Sequence, residues 1–186
     1  MASEEKNQSN IINSELNLNY NKYLFADKPI NRFKTKPKVE DISTKLDELR
    51  NEIEKIENCE LKKNASKIVF SDGNNRSKIM IVGEGPGQKE DQEGKPFVGD
   101  AGLLLNKMLK SINIERKNVY ITNVVNYRPP NNRKPEPVEI TKYSNFLRKH
   151  ISIIDPKILI LMGSTAMESL FGSNIKITKE RGSWKD

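Results

Sequence analysis

Four apolar residues, Ile79 to Val82, run into the glycine-rich turn Gly83-Glu84-Gly85-Pro86-Gly87, followed by Glu90, Asp91 and Glu93. An apolar run ending in glycines is how open α/β folds carry a buried strand into a binding loop, because glycines let a ligand meet backbone with no Cβ between them. Pyrophosphate is a poor candidate for that ligand. Glu84, Glu90, Asp91 and Glu93 oppose the single Lys89, and such a loop would repel a phosphate seated on it. Read as bare residues, acids ahead of a helix are partners for its N-terminal dipole.

A second apolar run, Val119 to Val125, contains Asn123 and leads to Arg128-Pro-Pro-Asn-Asn-Arg-Lys-Pro135, a basic loop stiffened by prolines. Residues 126 to 149 hold six basic and two acidic side chains, a balance suited to the phosphates of a polyanion. His150 is the only histidine. It falls near the end of a helix leading into the third strand, so it should face the N-terminal edge of the sheet, away from the loops. There it reads as a cation or donor at a helix C-terminus rather than a catalytic group. Cys59, the only cysteine, can form no internal disulfide and cannot hold an iron-sulfur cluster alone.

The elements that must position these residues follow from hydrophobic period. Ile79 to Val82, Val119 to Val125 and Ile158 to Met162 predict strands, separated by helices around Leu103 to Leu109 and Ile140 to Ile154, the latter stopped by Pro156. Alternating strands and helices predict a parallel sheet with right-handed crossovers. Upstream, Ile42, Leu46, Leu49, Ile53 and Ile56 recur at helical spacing behind a candidate cap, Asp41. Gly163-Ser-Thr-Ala166 opens a further helix through Leu170. Residues 1–37, rich in Asn, Ser and Lys, read as a mobile tail, and 38–186 as the one domain that the length allows.

The chain has 186 residues, 32 Lys+Arg against 25 Asp+Glu, a net charge of +7 and 35% hydrophobic residues. That balance favours a polyanionic partner. No run is long enough to span a membrane and the first ten residues lack a secretory core, so a cytoplasmic monomer without a membrane partner is expected.

The first loop reads Gly83-Glu84-Gly85-Pro86-Gly87, Glu90-Asp91, Pro96-Phe97-Val98-Gly99 and Ala101-Gly102. Together with Asn123 to Pro135 it closely resembles family 4 uracil-DNA glycosylases, which usually carry a four-iron four-sulfur cluster. The resemblance runs from about Ile56 to the C-terminus. It implies a three-layer α/β/α fold around a short central parallel sheet, and a DNA glycosylase that hydrolyses the N-glycosidic bond of deoxyuridine to begin base excision repair. By the same resemblance Phe97 stacks the flipped base, Asn123 reads its edge, and Gly85 lines the uracil site. Glu84 and Glu90 become the acids that orient water or stabilise the cationic sugar, and Asn132 lies near the catalytic pocket. Arg128, Arg133 and Lys134 are expected to meet DNA phosphates.

Two departures from the family alter these expectations. The cluster-ligand positions fall at Ile56, Cys59, Tyr127 and Tyr143, of which only Cys59 is a thiol, so the cluster should be lost, no metal is expected, and packing should fill its place. The family also continues into a further strand and a His-Pro-Ser motif, which this chain lacks before Asp186. The last strand is therefore expected to be missing, Ile158 to Met162 to form a bare edge, and activity to be impaired. Two alternatives stay open: a catalytically decayed relative that binds DNA without excising the base, and a nucleotide-binding module built on Gly83 to Gly87.

Overall fold

The computed structural model describes residues 41–185. The expected tail at 1–37 lies outside the described residues. Helix α1, Ile42–Glu54, turns Leu46, Leu49 and Ile53 inward. Asp41 occupies its cap position in extended geometry, but its carboxylate makes no capping hydrogen bond. After the short helix α2, Glu60–Asn64, come strands β1, Asp72–Gly73, and β2, Ile79–Gly83. Helices α3, Gln88–Glu93, and α4, Asp100–Ser111, then precede β3, Tyr120–Asn123. Helix α5, Pro137–Ile154, leads to β4, Ile158–Leu161, and on to α6, Ser164–Phe171, and α7, Ile177–Glu180.

The sheet order is β1-β3-β2-β4. β2 lies parallel to both β3 and β4, as the alternating pattern predicts, while β1 is an unforeseen antiparallel addition outside β3. Alternate residues of each central strand point to opposite faces. Met80, Val82 and Tyr120 enter a core with Leu46, Leu49 and Ile53 of α1 and Ile140, Tyr143, Leu147 and Ile154 of α5. Ile81 and Ile121 enter a second core with Leu105 and Leu109 of α4. Helices thus cover both faces of the sheet, giving the three expected layers.

Helix α5 begins at Pro137, where the missing N–H is no loss, and Glu139 accepts the Glu136 N–H at 2.7 Å. It ends at Asp155 in left-handed geometry, φ 48°, ahead of Pro156. β4 is paired on one side only among the described residues, and Ile160 at its centre is 38% exposed. The expected apolar edge is therefore present.

Candidate functional site

Gly83 and Asn123 end β2 and β3 directly opposite one another. A Cβ on Gly83 would lie 2.5 Å from both Asn123 Oδ1 and Phe97 Cζ, so glycine is what allows the amide and the ring to converge on one point. Both face a cavity of about 370 Å³ at the C-terminal edge of the sheet, lined also by Glu84, Gly85, Glu90 and Met162. A Cβ on Gly85 would meet Val125 Cγ2 at 2.7 Å, so this glycine keeps the loop close to β3.

Asn123 is 4% exposed, and its Nδ2 is the one buried side-chain nitrogen or oxygen without a hydrogen-bond partner among the described residues. A buried donor left unpaired costs about 1 to 3 kcal/mol, so this amide is arranged for something that arrives later. Phe97 is half-buried and has a φ of 53°, a left-handed conformation that bulky side chains rarely adopt.

The two acids expected to be catalytic differ in their surroundings. The exposed Glu84 accepts a hydrogen bond from the Thr165 hydroxyl at 2.5 Å, which ties it to the first turn of α6. Glu90 is buried: one oxygen accepts the Gly87 N–H at 3.1 Å, and the other the N–H groups of Val98 at 2.9 Å and Gly99 at 2.7 Å. Both its oxygens accept from backbone, so Glu90 shapes the loop that carries Phe97 while also lining the cavity. Asp91 acts similarly, accepting the Ser66 N–H at 2.9 Å.

Asn132 does not line the cavity. It sits exposed on the turn Pro130–Asn132 with a φ of 55°, and its Oδ1 accepts the Arg128 Nε–H at 2.7 Å. The turn carries it out to the basic loop. Arg133 also departs from expectation: its guanidinium donates to both carboxylate oxygens of Glu139, at 2.7 and 2.8 Å. The Arg133 hydrogen bond holds the Glu139 carboxyl below the usual range. Lys134 Nζ lies 3.7 Å from Glu168 and 3.3 Å from Ser164 Oγ, on an exposed side chain.

His150 does not line this cavity, in keeping with the sheet-edge argument, but it is not a surface cation. It is 2% exposed, stacks on Phe70 with centroids 4.6 Å apart, and its Nε2 lies 2.6 Å from the Tyr120 hydroxyl at the start of β3. Burial pulls its pKa down to about 3, so it is neutral near pH 7.

The four positions of the expected cluster do come together. Cys59 Sγ is 3.3 Å from the Tyr143 hydroxyl, and Tyr127 and Ile56 pack into the same core. Burial pushes the Tyr127 phenol up to about 12 and that of Tyr143 higher still. Two neutral phenols, an aliphatic side chain and one thiol do not fit a four-iron cluster, which is held by four thiolates. No group of three or more His, Cys, Asp or Glu able to hold a metal exists among the described residues.

Thr165 and Met162 are site residues that sequence reasoning missed. The Gly163-Ser-Thr-Ala166 opening of a helix directly after a strand was the available signal for the first. Comparison with known proteins agrees with this geometry. A family model described as the Uracil DNA glycosylase superfamily matches residues 70–185. A Type-4 uracil-DNA glycosylase of Thermotoga maritima is 44% identical over 131 residues, covering 70% of this chain and 68% of that protein. Its counterpart in Sulfurisphaera tokodaii is 45% identical over 148 residues, 75% and 67% of the two chains. That of Archaeoglobus fulgidus is 43% identical over 126 residues, 68% and 63%. With the site at the end of β2 and β3 and a match over most of the described residues, the chain belongs to the uracil DNA glycosylase superfamily.

Proposed function

We propose that this protein is a uracil-DNA glycosylase, hydrolysing the N-glycosidic bond of deoxyuridine in DNA and leaving an abasic site. The observation that carries the reading is the unpartnered Asn123 amide beside the Phe97 ring. A base must leave the stack before its sugar bond can be reached. In the cavity, the Phe97 face would stack a flipped pyrimidine, worth about 1 to 3 kcal/mol. The Asn123 Nδ2–H would donate to a uracil carbonyl while Oδ1 accepts the ring N–H. Cytosine offers an acceptor and a donor in the reverse arrangement, so it leaves both Asn123 groups mismatched.

As the bond breaks, the sugar gains positive charge and uracil leaves as an anion. Glu84, held by Thr165 and lining the cavity, is the carboxylate we assign to stabilising that cation and orienting the attacking water. Glu90 contributes by fixing the loop. Arg128 and Lys134 are the basic-loop side chains we assign to DNA phosphates, with Arg133 reserved for Glu139.

The donor set at Ile56, Cys59, Tyr127 and Tyr143 supports a protein that works without an iron-sulfur cluster. Protein purified without oxygen should be colourless, and close to four irons per chain would overturn this. No helix among the described residues is long and apolar enough to cross a membrane.

The test is incubation with a single-stranded oligonucleotide carrying one uracil, followed by alkaline cleavage at abasic sites. Cleavage at the uracil is expected, and Asn123→Asp should admit cytosine by replacing the amide donor with an acceptor. Binding without cleavage would favour the decayed DNA-binding alternative, and absence of both would refute the assignment.

A further inference from the structure

Phe97 can stack a base only if its ring stands where the loop now holds it, and the loop is held from two sides by opposite charges. The Val98 and Gly99 N–H groups donate to Glu90. The carbonyls of Pro96 and Phe97 accept from one side chain on the other side, Arg116, at 2.6 and 2.9 Å. A single peptide unit, the one joining Phe97 to Val98, is thus gripped at its oxygen by a cation and at its nitrogen by an anion.

Arg116 is in turn fixed by partners in two other elements. Its Nε donates to Asp72 of β1 at 2.7 Å, and its Nη1 to Asn106 of α4 at 3.2 Å. The guanidinium fork therefore ties β1, α4 and the aromatic loop together, half-buried with only 21% of its side chain exposed. The loop has little room elsewhere, since a Cβ on Gly102 would fall 1.9 Å from the Phe97 carbonyl oxygen. Left-handed backbone at an aromatic residue persists only where its surroundings enforce it, and these contacts are that enforcement.

We propose that Arg116 is a positioning residue for base recognition: by holding the Pro96 and Phe97 carbonyls it keeps the Phe97 ring in the orientation that stacks uracil. This inference rests on the assignment of Phe97 as the stacking residue. Lysine cannot substitute, because a single ammonium lacks the planar fork that reaches these acceptors together.

A double-mutant cycle on the full chain tests the idea, with binding of free uracil and KM and kcat on a uracil-containing oligonucleotide as readouts, and thermal melting as a control. Arg116→Gln should weaken uracil binding and raise KM by roughly 5- to 100-fold, bounded by the loss on Phe97→Ala. In the Phe97→Ala background the same substitution should change uracil binding by less than about twofold, because coupled residues are not additive. Arg116→Lys should behave like the glutamine variant. Should Arg116→Gln fail to fold, Asp72→Asn carries the same cycle with a smaller expected loss. Equal factors in both backgrounds, or normal binding by Arg116→Lys, would reduce Arg116 to a purely structural role and overturn the proposal. An unchanged affinity in Phe97→Ala alone would instead refute the stacking assignment, and this inference would fall with it.

Discussion

The Asn123 amide oxygen occupies the space in which a Gly83 side chain would begin, so the last residue of β2 sets how closely the last residue of β3 can approach the Phe97 ring. Gly83→Ala therefore cannot be a mild change. One added methyl must displace either the amide or the ring, with a cost of about 1 to 3 kcal/mol in stability. Excision should fall further than stability, by about a hundredfold if the displacement approaches 1 Å. Urea unfolding and single-turnover excision on the same preparation will separate the two. Near-normal excision would show that the contact between these residues is not needed.

The Thr165 hydroxyl gives Glu84 its one hydrogen bond on the side of α6. Thr165→Val keeps the shape of a fully buried side chain and removes only that donor. A hydrogen bond to a charged group is worth about 1.5 to 3 kcal/mol, so kcat should drop roughly tenfold or more with KM little changed. Thr165→Ser should restore most of the rate. A valine variant with normal kcat would release Glu84 from any dependence on α6.

Stability should fall in mild acid because of His150. Its folded pKa of about 3 lies below the ordinary 6.5, so between these values the unfolded chain binds a proton that the folded one refuses. The loss begins as the pH drops through 6.5 and continues to about 3; between pH 6.5 and 5 it amounts to about 2 kcal/mol from this group. Denaturant melts of the wild type and of His150→Gln at pH 7.5 and pH 5 give the comparison. The two slopes with pH should differ, and identical slopes would contradict the neutral buried imidazole.

Salt dependence distinguishes the basic side chains of the loop. Arg128→Ala and Lys134→Ala should each lower the slope of log affinity against log salt by about one contact on uracil-containing DNA. Arg133→Ala should leave that slope unchanged and lower stability instead, since it strands Glu139. A reduced slope for the Arg133 variant would mean that DNA competes with Glu139 for the guanidinium.

The three parallel strands were legible because each is a short apolar run closed by a turn signal, and the loop residues Glu84, Gly85, Phe97 and Asn123 because they stand in a long motif. β1 was not, being two residues, Asp72 and Gly73, with no period to read. Arg116 was illegible for a different reason: its acceptors are two backbone carbonyls, Asp72 and Asn106, which no residue pattern announces and only the folded chain brings together. The partners of Asn132 and Arg133 were not legible, because the basic loop was read as uniformly available. Left-handed geometry at Asn132 and an ion pair reaching six residues ahead from Arg133 settle their partners locally. Glu90 was identified as important for its charge, yet its partners are N–H groups of its own loop.

The pairing of Cys59 with Tyr143 gives the protein a built-in clock. Because the chain contains a single thiol, and that thiol is 7% exposed in the seam between α1 and α5, a thiol reagent can label it only when the seam opens. The labelling rate in native buffer therefore counts those openings, with no probe to introduce and no second cysteine to confuse the signal. Cys59 is held in that seam by packing and by its contact with the Tyr143 hydroxyl, and the time between openings measures how firmly.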